Sequence, residues 1–155
     1  MTYRISGLEP SLFAPLYRLA DEDLAKQGTI RMPVTGSPGF PCRIRLDDAE
    51  FGQTMLLLNH VSHDVANPYR ARHAIFVTEG SLEPADVTDA LPPALERRIL
   101  SLRAFDAAGM MSDAVLAQPG EADTAIRRLF EAPETAYLHA HNAIRGCFAA
   151  RVDRA

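Results

Sequence analysis

Little in this chain supports the commonest functional classes. It carries only two cysteines, Cys42 and Cys147, far apart in sequence. A domain of this length fills its core without a disulfide, so both are expected as free thiols. Lysine is nearly absent, with Lys26 the sole one, and arginine supplies the remaining basic charge. Sixteen Lys plus Arg against twenty Asp plus Glu leave a net charge of -4. That balance removes the cationic field needed to hold nucleic acid or an anionic membrane. Long apolar runs are also missing. The longest aliphatic stretches, Met55 to Leu58 and Ala74 to Val77, have strand length, not the length of a leader or a membrane span. The expectation is a cytoplasmic protein with no nucleic-acid and no membrane partner. A phosphate-cradling glycine loop with its lysine and a dinucleotide fingerprint are absent too, which weighs against ATP and NAD.

What is present is an ordinary globular composition, 47% hydrophobic and 23% charged over 155 residues. Such a chain buries about 70% of its unfolded surface around one core. The pattern predicts a single α+β domain over 1–155, a mainly antiparallel sheet with hairpins packed by a few helices. Tyr3 to Ser6 reads as a first strand, and Pro10 opens a helix running through Leu12, Leu16 and Leu19. Asp21 caps a second short helix that Gly28 ends. Ile30 to Val34 is extended, and Thr35 to Pro41 is a Gly/Pro loop leading into a strand over Cys42 to Leu46. In that strand Cys42, Ile44 and Leu46 share the core face, opposite Arg43 and Arg45. Gln53 to Asn59 and His73 to Glu79 are strands joined by a polar loop, His60 to Arg72. Glu83 to Leu91 is irregular, and Pro92-Pro93 opens a helical turn. Leu100 to Phe105 and Met110 to Leu116 form a hairpin around Asp106 to Gly109, with Met110 and Met111 expected in the core. Glu121 to Glu131 has the spacing of an amphipathic helix. Thr135 to Asn142 and Cys147 to Asp153 form the last strand pair.

Histidines carry the sharpest chemical signal. Strand alternation in Tyr137-Leu138-His139-Ala140-His141-Asn142 places Tyr137, His139 and His141 on one face. Cα atoms two residues apart step by about 6.6 Å, so two imidazoles at that spacing can converge on one metal ion. A third ligand is required, and His73, His60, His63, Cys42, Cys147 and Glu79 are the candidates. A divalent transition metal held by His139, His141 and His73 is one reading, acid–base work by the same histidines another. The bland alternative is two histidines making ordinary hydrogen bonds on a half-exposed sheet. A four-residue loop, Ala143 to Gly146, sets Asn142 opposite Cys147, His141 opposite Phe148 and His139 opposite Ala150, so Cys147 faces away from the histidines.

Cys42 is a candidate thiol nucleophile if His73 or His141 approaches it with Asn142 orienting the ring. Its phase with Ile44 and Leu46 argues for a buried thiol instead. Arg70, Arg72 and Arg43 are candidate anion binders, joined by Tyr137 and Asn142 in lining a ligand site. The reading is thus a ligand-binding domain or enzyme acting on a small anionic molecule at His139, His141 and His73. Two alternatives stand beside it: a noncatalytic interaction or homo-oligomerisation module using an exposed sheet edge, and Cys42-dependent thiol chemistry.

Several stretches also resemble the bacterial domain-of-unknown-function family 1203. They are Tyr3-Arg4-Ile5-Ser6-Gly7-Leu8, Gly39-Phe40-Pro41-Cys42-Arg43, Pro68-Tyr69-Arg70 with Arg72-His73-Ala74-Ile75-Phe76-Val77, Leu102-Arg103-Ala104-Phe105-Asp106, and Tyr137 to Asn142 with Gly146-Cys147. They run from one end of the chain to the other. The resemblance implies common ancestry and no substrate, cofactor or catalytic residue.

Overall fold

The extended segments assemble into two antiparallel sheets, not one. In the computed structural model, which describes residues 1–155, the strands are β1 (Tyr3–Ser6), β2 (Ile30–Pro33), β3 (Thr54–His63), β4 (Ala71–Thr78), β5 (Asp86–Thr88), β6 (Leu100–Phe105), β7 (Met111–Ala117), β8 (Tyr137–Asn142) and β9 (Phe148–Arg154). Three short helices accompany them: α1 (Asp21–Lys26), α2 (Pro93–Glu96) and α3 (Ala122–Leu129). The larger sheet runs β5-β1-β9-β8-β6-β7 and the smaller β2-β3-β4. The fold is α+β, as the pattern predicts. No helix is long and apolar enough to cross a membrane.

Each sheet has its own core. One face of the larger sheet, with Leu138, Ala140, Leu100, Leu102 and Val152, packs against Ile126, Leu129 and Phe130 of the α3 region. In α3 the apolar residues recur at helical spacing, and Arg127 and Arg128 occupy its last turn, where cations suit the helix dipole. The smaller sheet buries Met55, Leu56, Ile75 and Val77 with Phe13, Leu24, Cys42 and Ile44.

Several local expectations need correction. The helix expected from Pro10 is two 3-10 turns, Pro10–Leu12 and Ala14–Leu16. A second proline, Pro15, lacks the N–H that a continuous helix would use. Asp21 is the first residue of α1, and Ala20 holds the cap position. The stretch from Cys42 to Leu46 is a turn closed by the Leu46 N–H donating to Cys42 O at 2.9 Å, with Leu46 at φ 53. The segment expected to be irregular after Glu83 contributes β5, which pairs with β1. Met110 is 41% exposed, not core. The final hairpin pairs His141 with Phe148 as its loop length requires, but a bulge beside Ala140 sets His139 opposite Arg151 instead of Ala150.

The correction that matters most concerns the presumed loop from His60 to Arg72. Strand β3 continues to His63 and β4 begins at Ala71, with a bulge between Val61 and His63, so only residues 64–70 form the loop. The far end of this long hairpin reaches across the second face of the larger sheet. There His63 lies with its ring centroid 5.0 Å from that of His139, and His73 5.0 Å from that of His141.

Candidate functional site

Pairing of β6 with β8 sets Arg103 opposite His139, Ser101 opposite His141 and Phe105 opposite Tyr137. Alternation then collects all six on the face away from the apolar core. The hairpin end roofs this face with Ser62, His63 and His73. Between roof and sheet is a cleft of about 200 Å³, lined among others by His63, Tyr69, Arg70, Arg103, His139 and His141. A wider open groove of about 950 Å³ lies elsewhere, beside Tyr17, Arg31 and Glu79, and holds none of the histidines. Its Arg31 and Glu79 are already paired with each other at 2.8 Å, so the smaller cleft is the better candidate.

Hydrogen bonds fix two of the four imidazoles. A carbonyl can only accept, so the 2.9 Å contact between His63 Nδ1 and Tyr69 O means that His63 donates from Nδ1. In that tautomer its Nε2 accepts from the Tyr137 hydroxyl, at 2.7 Å. His141 likewise donates from Nδ1 to Gly146 O at 2.9 Å, which leaves a lone pair on Nε2. His73 Nδ1 lies 3.0 Å from the Ser62 hydroxyl. His139 is 2% exposed and packs against the rings of Phe105, Phe148 and Tyr137. Neither of its nitrogens has a protein partner. The buried side-chain atoms without partners are Asp47 Oδ1, Ser81 Oγ and Asn142 Oδ1. The unbonded nitrogens of His139 and His141 are not among them, so they keep their opening onto the cleft.

Burial governs the charge of these groups. It pushes the His139 imidazole down to about 3, helped by His63, His141, Arg151 and Arg103 nearby. His141 falls to about 4 through burial, partly offset by its bond to Gly146 and lowered further by Arg103, His73 and Arg43. His73 is lowered by burial and then by Arg103 and Arg43. His139 and His141 are therefore neutral rings at neutral pH. Arg103 is half-buried, its guanidinium lowered by desolvation, and its sole protein partner is the Ser101 hydroxyl at 3.3 Å. No acidic side chain lines the cleft.

The structure lines this cleft with His139, His141 and Arg70, the last at the rim paired to Asp64, while His73 adjoins it against His141 and Tyr137 against His63. Others of the expected set lie elsewhere. Arg72, out of phase with His73, is exposed and bonds Asn59. Asn142 follows the alternation of Leu138 and Ala140, and its Nδ2 points toward Cys147 Sγ at 3.6 Å. Arg43, expected opposite the core residues, is 3% exposed. It donates from Nε to Phe148 O at 2.8 Å, from Nη1 to Pro41 O at 2.6 Å and from Nη2 to Cys147 Sγ at 3.1 Å, stapling the turn to the last hairpin. Cys42 is 0% exposed in the smaller core, its sulfur accepting the Thr78 N–H at 3.3 Å, so it has no access for the expected thiol chemistry. Arg103, Ser62 and Tyr69 were not among the expected site residues, and His63 entered only as a possible third ligand. The alternation of Ser101, Arg103 and Phe105 in a strand otherwise apolar is the signal that finds Arg103.

The metal reading meets a geometric difficulty. No three His, Cys, Asp or Glu side chains are placed to hold a metal ion together. His139 and His141 are 6.3 Å apart between ring centroids.

No curated protein and no solved structure matches the chain. One family model does, and it covers residues 39–154, leaving out the Tyr3 to Leu8 stretch. The matched region holds every element that builds the cleft, and by that match the chain belongs to the family described as protein of unknown function (DUF1203).

Proposed function

We propose that the chain binds a small anionic molecule in the cleft between the β3–β4 hairpin end and the larger sheet. The observation that carries this reading is the pairing of Arg103, a half-buried cation with no acidic partner, with His139, a buried imidazole with no partner at all. Both line the cleft with hydrogen-bonding capacity that no protein group uses, and a ligand that meets both gains charge-assisted hydrogen bonds there. The volume suits a molecule smaller than a typical drug. Because burial holds His139 and His141 neutral near pH 7, they serve as neutral hydrogen-bonding groups for the ligand and not as general acids. The test is ligand-observed NMR with a panel of small carboxylates and inorganic phosphate, on wild type and on the His139→Ala, His141→Ala double variant. Saturable binding lost in a folded double variant supports the reading. Binding that persists in the variant removes it.

A second reading keeps the metal. His141 donates its Nδ1–H to a backbone carbonyl, the outer-sphere bond typical of metal-ligating histidine. A divalent ion at His139, His141 and His73 would use His73 Nε2, the nitrogen that Ser62 leaves free. Elemental analysis of untagged protein purified without chelator decides it: stoichiometric metal, lost in the double variant, favours this second reading over the first.

A further inference from the structure

We infer that the molecule taken by the cleft is an oxyanion that also carries an O–H donor, the chemistry shared by a 2-hydroxy carboxylate and hydrogenphosphate. This rests on the anion-binding reading above and follows from counting donors and acceptors around the cavity. Arg103, opposite His139 across β6 and β8, offers guanidinium N–H groups with no protein acceptor beyond Ser101. These need oxyanion lone pairs. His141 offers the reverse. Its Nδ1–H is spent on Gly146 O, so Nε2 presents only a lone pair to the cleft. A neutral His139, which lines the cleft, adds one N–H and one further lone pair, neither bonded to protein.

A bare carboxylate satisfies Arg103 and the His139 N–H but sets its own lone pairs against that of His141. Protonating His141 would relieve the clash, and burial together with Arg103, His73 and Arg43 opposes that protonation. An O–H beside the anionic group relieves it without moving a proton, by donating to His141 Nε2. The absence of any acidic side chain from the lining means that no protein carboxylate competes for Arg103. Phe105 contributes an apolar ring to one wall.

The experiment is NMR of wild-type protein labelled with ¹⁵N-histidine, titrated separately with lactate, propionate and inorganic phosphate near pH 7. Lactate and propionate differ by the hydroxyl alone. The expected result is saturation by lactate with at least about tenfold tighter affinity than propionate, the penalty for an unpaired buried acceptor. The His141 Nε2 resonance should move while Nδ1 stays protonated. Phosphate saturating where lactate does not also supports the inference and assigns the O–H to hydrogenphosphate. Equal affinity for lactate and propionate overturns the inference while the anion site survives. No saturable response to any of the three overturns both the inference and the reading beneath it. Arg103→Gln, whose side chain leaves the sheet on the face away from the larger core, is the control: a folded variant should lose affinity for every anion at least about tenfold, and retained affinity overturns the assignment of Arg103.

Discussion

Cys42 and Cys147 share a chemistry and differ in surroundings. Cys42 is sealed in the smaller core, whereas Cys147 is partly exposed beside the guanidinium of Arg43. Iodoacetamide under native conditions should therefore label Cys147 and spare Cys42, with peptide mass mapping as the readout; modification of Cys42 before unfolding would contradict the packing described. Tyr137 makes a second residue-scale test. Its hydroxyl supplies the proton that His63 Nε2 accepts, so Tyr137→Phe leaves a buried acceptor unpaired and should cost about 1–3 kcal/mol in urea unfolding. The histidine pair and Tyr137 were legible in sequence because alternation alone puts them on one face. The fate of Arg43 was not. A residue in a tight turn obeys no period, and only the fold brings Phe148 O and Cys147 Sγ to it.

Elements were readable where their period ran long enough. Helix α3 shows its apolar stripe plainly, and its center, Ile126, is fully buried against the larger sheet. Ile126→Ala should lower stability by about 2–5 kcal/mol, measured by chemical unfolding, through lost burial and the cavity left behind. Gly7 tests the junction of the two sheets. A Cβ there would lie 1.8 Å from Ile44 O and 3.0 Å from Ala85 N, in a spot where the Gly7 N–H donates to Ala85 O and the Ala85 N–H to Ile44 O. Neither backbone can yield without breaking the other bond, so Gly7→Ala should cost on the order of 4 kcal/mol or more, seen as a collapse of the melting temperature. The hairpin end was the element least legible. Ser62, His63 and His73 are polar because they face the polar seam, and polarity in a short segment reads as loop until a partner surface is known.

The molecule as a whole should reveal its buried histidines through pH. A free imidazole takes up a proton near 6.5, while His141 resists until about 4 and His139 until about 3. In that interval the unfolded chain binds more protons than the fold, so stability is intact above about pH 6.5 and falls as pH drops below it. The slope should approach 1.4 kcal/mol per pH unit for each such histidine, about twice that for the pair. Urea unfolding between about pH 7 and 5 measures it, and His139→Phe should flatten the curve; a wild-type profile without slope would mean that these rings are not held neutral. Fold class was legible from the whole pattern of strands and few helices. The division into two sheets was not, because strand order depends on which faces meet, and no local spacing encodes that.

The β3–β4 hairpin is anchored in one core and touches the other half of the molecule through a polar seam, with residues 64–70 tied down by the Asn67 side chain donating to Ala108 O at 3.0 Å. That seam joins the halves through hydrogen-bonding and aromatic rings, His63 bonding Tyr137 and packing on Phe105. Occupancy of the cleft would rivet the two halves across that seam. Amide hydrogen exchange at the hairpin tip should then slow in step with ligand saturation while exchange deep in α3 stays unchanged, turning the seam into a local gauge of occupancy.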